Sequence, residues 1–265
     1  MWEYILKGIT IANGRIICFL DDDDLFEPHK LTTVYRVFSK IPDLGYYRNR
    51  DSLIDKHEHL ISKEKGKECL ITESNKFSLK WQTHLRWNPF HNLSCISIRK
   101  SMVGPYLDVV GFIQYGIDLL FYCMALDSNF SLLIGTEALT KYMVHSNTVF
   151  PPTNYNGYIV KKQITLTQYI ASYRFLVNKF NNVQVKKLLN YFISLSSLKL
   201  RLISNTDQAK NNTLTDIVEV FFNGLLIQKI EPLLISTLSI VPWKIARSKL
   251  YHFFYSILLK TLIST

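Results

Sequence analysis

The stretch Arg15-Ile16-Ile17-Cys18-Phe19-Leu20-Asp21-Asp22-Asp23-Asp24 decides how this chain of 265 residues is read. An apolar, β-branched run of strand length ends abruptly in four aspartates. Four adjacent carboxylates repel one another, so a structural role for them is costly without a counter-ion. In extended geometry Asp21 and Asp23 point the same way and can converge on one cation. Hard divalent ions such as Mg²⁺ or Mn²⁺ take oxygen ligands of this kind, usually shared with substrate phosphates. The C-terminal edge of a strand in an α/β sheet is where such ligands bind. The plainer reading is a solvated acidic turn ahead of a helix opened by Pro28.

The flanks read as mixed α/β. Before the strand, residues 2–13 have a rough apolar face at Trp2, Ile5, Ile9 and Ile11, and Asn13-Gly14 is a turn signal. After it, helical spacing at Leu31, Val34 and Phe38 predicts a helix from Pro28 to Ser39. Strands are expected at about 45–54 and 68–72 around a charged tip, then a helix at 75–86, and a strand from Leu93 to Ile98. A strongly apolar helix over 112–127 carries one acid, Asp118, before its end, and a short strand follows at 131–134. Pro151-Pro152 and Asn154 to Gly157 mark a boundary. Helices are expected at 158–180, 184–204, 213–230 and 243–263, so the chain is α/β first and all-helical after about residue 155.

Composition narrows the class. Hydrophobic residues at 48% and aromatics at 13% exclude a disordered chain. A net charge of +10 suits nucleic acid, an anionic membrane surface or a phosphorylated substrate. No nucleic-acid-binding motif accompanies it, so no nucleic acid partner is expected. Cys18, Cys69, Cys95 and Cys123 are widely spaced with no C-x-x-C pair, which argues against disulfides and structural zinc and for a reducing, cytoplasmic setting. No G-x-S-x-G or Walker loop occurs. The tail from Trp243 to Lys260 mixes cations with aromatics. It reads either as an amphipathic helix lying peripherally on the inner membrane face or as an ordinary core helix with snorkelling cations.

The run Ala12-x-Gly14-x-Ile16-Ile17-x-Phe19-Leu20-Asp21-Asp22-Asp23-Asp24-Leu25-Phe26-x-Pro28-x-Lys30-Leu31 resembles the metal-motif segment of family 2 glycosyltransferases. The resemblance implies a GT-A (Rossmann-like) fold that transfers a sugar from a nucleotide-diphosphate donor, with inversion, to a glycan, lipid-linked or other hydroxyl acceptor. It places the D-x-D motif on Asp21, Asp22 and Asp23. Asp21 and Asp23 would hold Mg²⁺ or Mn²⁺, with Asp22 and Asp24 facing the donor. Gly116-Ile117-Asp118-Leu119-Leu120 resembles the family's catalytic helix, with Asp118 as base and Ile117 where a glutamate is usual. Leu139 to Asn147 resembles its closing segment, with Lys141 near the phosphates and His145 as a third metal ligand or diphosphate contact.

The expected organisation is therefore an α/β, incomplete GT-A nucleotide-diphospho-sugar transferase domain over residues 1–155 and a helical C-terminal region over 156–265. In such a fold about 60–90 residues of nucleotide-binding strand-helix units precede the metal motif, at about 30 per unit. Only 20 residues precede Asp21 here. That spacing admits a second reading, a non-catalytic remnant or interaction subunit lacking the nucleotide-binding half.

Overall fold

The computed structural model describes residues 2–76, 85, 89–144, 155–203 and 214–227. Most of the helix expected at 75–86, together with His145, the proline pair and the basic tail, lies outside the described residues. The chain divides into two compact units. One gathers the described residues 2–76, 89–144 and 180–185, and the other gathers 85, 155–179, 186–203 and 214–227.

The first unit is built on a seven-stranded mixed sheet. In chain order its elements are α1 (Trp2–Ile11), β1 (Ile16–Cys18), β2 (Leu25–Phe26), α2 (Lys30–Lys40), β3 (Leu44–Ile54), β4 (Leu60–Lys63), β5 (Cys69–Ile71) and α3 (Glu73–Lys76). There follow β6 (Ile96–Arg99), α4 (Lys100–Val103), α5 (Leu107–Val110), α6 (Ile117–Asp127) and β7 (Ser131–Met143). The strand order is β1-β6-β3-β7-β2, with β4 also on β3 and β5 also on β7. Of these pairings β3–β7 is parallel and the rest are antiparallel.

Alternation along β3 sends Tyr46 and Tyr47 to opposite faces, and each face has its own cover. Tyr47 joins Val34, Phe38, Leu44, Leu133 and Leu139 in the core beneath α2. Tyr46 meets Tyr122 of α6 edge-on, with ring centroids 5.6 Å apart. From Leu119 to Leu126 every residue of α6 is buried, as its unbroken apolar sequence requires. Phe19, just past β1, stacks on Phe121 at 4.8 Å. That contact brings the end of β1 and the start of α6 together. Lys76, itself buried, donates to the carbonyls of Ala125 and Ser128 at 3.0 and 2.5 Å and so closes the C-terminal end of α6.

Several expected boundaries move. The helix expected over 112–127 begins only at Ile117, because Gly116 adopts φ 77°, a left-handed turn open to glycine, immediately before it. The strand expected from Leu93 starts at Ile96, after a 3₁₀ turn over Leu93–Cys95. The short strand at 131–134 continues to Met143. Register shifts against β3 let β7 pass its polar segment around Gly135 and change outer neighbours, from β5 at Leu132–Ile134 to β2 at Thr140–Lys141.

The second unit is helical. Its elements are α7 (Tyr155–Val177), α8 (Val183–Ile203), whose first turn belongs to the first unit, and α9 (Leu214–Ile227). Leu166, Ile170, Tyr173, Leu188, Leu195 and Leu198 are buried within it. Gln163 donates to the Ile203 carbonyl at 3.0 Å, and Ser194 to Asp216 at 2.8 Å. Among the described residues no helix is long and apolar enough to cross a membrane.

Candidate active site

The aspartates do not continue the strand. β1 ends at Cys18, and Phe19 keeps the ladder through its N–H to the Ile96 carbonyl. Asp21 to Asp24 then form a turn closed by the Asp24 N–H on the Asp21 carbonyl at 3.3 Å. Aspartates favour turns because their side chains can bond nearby backbone, and here the turn replaces the expected alternation of Asp21 and Asp23. Asp22 is exposed at its tip, Asp21 and Asp23 are half-buried, and Asp24 is buried. Directly after the turn β2 pairs with β7, Leu25 opposite Lys141.

A buried polar hub holds this turn from below. Lys30 is 0% exposed. Its ammonium donates to the Ser94 carbonyl and, at 2.9 Å, to Thr140 Oγ1, and it lies 3.8 Å from the centroid of Phe26. Burial pulls its pKa down to about 8, against the opposing pull of Cys95, Cys18 and Asp24. Ser94 Oγ accepts the Asp21 N–H at 2.9 Å. Thr140 Oγ1 also accepts from Asn49 at 2.9 Å. One cation thus ties the start of α2, the turn before β6 and the end of β7 to the base of the aspartate loop.

The carboxylates are under strain of charge. Asp21 is raised first by burial and then by Asp24, Asp23 and Asp22. Asp24 Oδ1 accepts the Met143 N–H at 3.2 Å, while its Oδ2 is shut from water without a hydrogen-bond partner. Such an arrangement suits a hard divalent cation. Among the described residues no three His, Cys, Asp or Glu side chains converge as a metal-binding group. Asp21 and Asp23 therefore gather no third such side chain around them among the described residues. His145, the expected third ligand, lies outside the described residues.

Asp118 stands in the first turn of α6. Its Oδ1 accepts the Leu119 N–H at 2.8 Å. Burial lifts its pKa to about 6, opposed by the backbone N–H groups, with a further push from the charge on Asp21. The catalytic candidate and the aspartate turn thus sit within electrostatic reach of each other. Lys141 does not join them. It lies between Thr140, which faces the hub, and Tyr142, and alternation turns its side chain to the other face of the sheet. Tyr142 meets the carboxylates instead: after burial, its hydroxyl is pushed up by Asp24, Asp23, Asp51 and Asp21.

The sequence reading missed a second charged group, on β3. Arg48 is fully buried and binds Glu64 through both terminal nitrogens, at 3.2 and 2.9 Å, and the His91 carbonyl at 3.2 Å. Arg50 binds Glu64 at 2.8 Å and the carbonyls of Gly135 and Lys67 at 3.0 and 3.3 Å. Gly66 lies flat on that guanidinium, where a Cβ would come within 2.4 Å of it. Asp51 is raised to about 6 by burial and by Glu64, against the pull of Arg48. The signal was present as three charges within Arg48-Asn49-Arg50-Asp51, inside a strand that otherwise reads as core.

Comparison with known proteins gives two similarities. Residues 5–103 match Glycosyl transferase family 2. The chain is also 26% identical over 140 residues to an uncharacterized glycosyltransferase of Nostoc sp., a match spanning 52% of this chain and 42% of that protein. Residues 5–103 are thus similar to the family 2 glycosyltransferases, and the mixed sheet agrees with a GT-A-like fold.

Proposed function

We propose that this protein moves a sugar from a nucleoside-diphosphate donor to an acceptor hydroxyl, with inversion at the anomeric carbon. The observation that carries the reading is the pairing of a half-buried carboxyl on α6, Asp118, with the aspartate turn that follows β1, linked by the Phe19–Phe121 stack and by the charge of Asp21 felt at Asp118. A base whose pKa sits near 6 accepts a proton at neutral pH and holds it well enough to help the reaction. Asp118 takes the acceptor hydroxyl proton as that oxygen bonds to the anomeric carbon, and the bond from that carbon to the diphosphate breaks with its electron pair. Asp21 and Asp23 hold Mg²⁺ or Mn²⁺, which when bound neutralises the departing diphosphate. Asp22, exposed at the tip of the turn, faces the donor side.

The acceptor is a glycan or a lipid-linked hydroxyl, the latter suiting a peripheral stay of the basic tail on the inner membrane face. The division near residue 155 into a transferase segment and a helical region belongs to the same proposal. It is tested by transfer assays with a panel of nucleotide sugars and Mn²⁺, together with calorimetry of Mn²⁺-dependent nucleoside diphosphate binding. Asp21→Asn is expected to weaken that binding by about tenfold or more while leaving the melting temperature equal or higher, because it removes a repelled charge. Absence of both turnover and Mn²⁺-dependent binding overturns the reading.

A further inference from the structure

Asp51, His91 and Asn92 border the aspartate turn and take no part in the chemistry above. Asp51 is 4% exposed, and its Oδ2 is shut from water with no hydrogen-bond partner. A buried carboxylate oxygen left unpaired is costly. Arg48 tempers its charge but gives this oxygen no hydrogen bond, its terminal nitrogens binding Glu64, while Arg50 binds Glu64 and the Lys67 carbonyl. His91 Nε2 stands 3.9 Å from Asp51 Oδ2, beyond hydrogen-bond reach, on an imidazole 49% exposed to solvent. One residue on, Asn92 is held at φ 60° and gives its Oδ1 to the Ser94 N–H at 2.9 Å. Its Nδ2 is buried without a partner. An acceptor 3.9 Å from the half-exposed imidazole, and a donor on the residue that follows it, are thus left unsatisfied.

Tyr142 connects this corner to the reaction centre. Its ring meets His91 edge-on at 6.1 Å, and its hydroxyl feels both Asp51 and the aspartates of the turn. A phosphate would be repelled by these carboxylates. A neutral hydroxyl both donates and accepts, and aromatic rings beside a few placed polar groups are the usual lining of a site for a small organic ligand.

We propose that Asp51, His91, Asn92 and Tyr142 form a subsite for a sugar ring, one hydroxyl donating to Asp51 Oδ2 and accepting from Asn92 Nδ2, with the imidazole and phenol flanking the ring. The nature of the ligand rests on the sugar-transfer reading. The sugar is either the one carried by the donor or the terminal unit of the acceptor.

The test uses the full chain, with methyl glycosides of common hexoses followed by saturation-transfer NMR and nucleoside diphosphates and their sugars titrated with Mn²⁺. Asp51→Asn and His91→Ala are each expected to weaken sugar binding by about tenfold, with nucleoside diphosphate binding unchanged and the melting temperature unchanged in His91→Ala and equal or higher in Asp51→Asn. A loss confined to the nucleotide sugar identifies the donor's ring, and a loss confined to the glycosides identifies the acceptor's. Unchanged sugar binding in both variants, an equal loss of the bare nucleoside diphosphate, or a wild-type chain that binds no sugar overturns the subsite. The transferase reading fails separately. Loss of glycoside binding in the variants of a chain that never binds nucleoside diphosphate with Mn²⁺ keeps the subsite and removes the proposed reaction. Because Asp51 lies close to the arginine network, His91→Ala, at a half-exposed position, decides the matter if Asp51→Asn unfolds.

Discussion

Asp118→Asn is expected to lower kcat by about a thousandfold, the scale of a lost general base, and to leave Mn²⁺-dependent nucleotide binding intact. The same substitution should make the protein more stable at neutral pH. In the fold the carboxyl titrates near 6 and in the unfolded chain near 3.8, so folding favours the neutral form. Below the lower value both states are protonated and the residue is neutral in its effect. As pH rises through the window to about 6, the unfolded chain ionises freely while the fold resists, and stability falls by up to about 3 kcal/mol. Asparagine has no such loss, so denaturant midpoints of wild type and variant should diverge between about pH 4 and 6 and stay apart above it. Activity of the wild type should rise through the same window. A variant that retains wild-type kcat would assign the proton to another group and remove Asp118 from the reaction.

Arg48→Met is the substitution expected to damage the fold most, by about 3–5 kcal/mol. It removes the partner that binds Glu64 twice, at 2.9 and 3.2 Å, from a position with 0% side-chain exposure. Glu64 would remain on Arg50 alone, and Asp51 would lose the charge that now restrains its upward shift. The His91 carbonyl would lose a donor as well. Urea unfolding measures the effect, and Arg48→Met combined with Glu64→Leu should recover part of it, since the double change removes both charges. A loss below about 1 kcal/mol for the single variant would mean that the pair contributes no more than a surface ion pair.

The parts of the site that sequence made legible are those written in adjacent residues. The run into Asp21–Asp24, the helix from Lys30 and the acid opening α6 each carry a local pattern, and the structure places all three in the first unit. The hub beneath them had no such trace. Lys30 reaches Thr140 across 110 positions of chain, and a lysine at the start of a helix is ordinarily taken as solvated. The buried arginines of β3 were hidden for the same reason, their partner Glu64 lying in a segment that reads as an exposed charged tip. β2 has two residues and no periodicity to detect. Only residues 131–134 of β7 read as a strand because the residues around Gly135 interrupt its apolar pattern, while in space the strand continues to Met143 through a register shift. The helix start was misplaced at Phe112, which is 71% exposed, because an apolar run was followed through Gly116.

The hairpin over β3 is gripped at one end only. Glu64 and the carbonyl of Lys67 lock it to the two arginines, whereas the tip beyond Asp55 is held by that residue's own turn contacts with His57 and His59 and is largely exposed. Changes of length in an exposed tip cost little closure entropy. Over generations, residues 56–60 are therefore where insertions and drift accumulate without disturbing the frame. A lineage built on this chain has room there for novelty, although Ile54, at the foot of the tip, pairs with Met143, whose N–H binds Asp24.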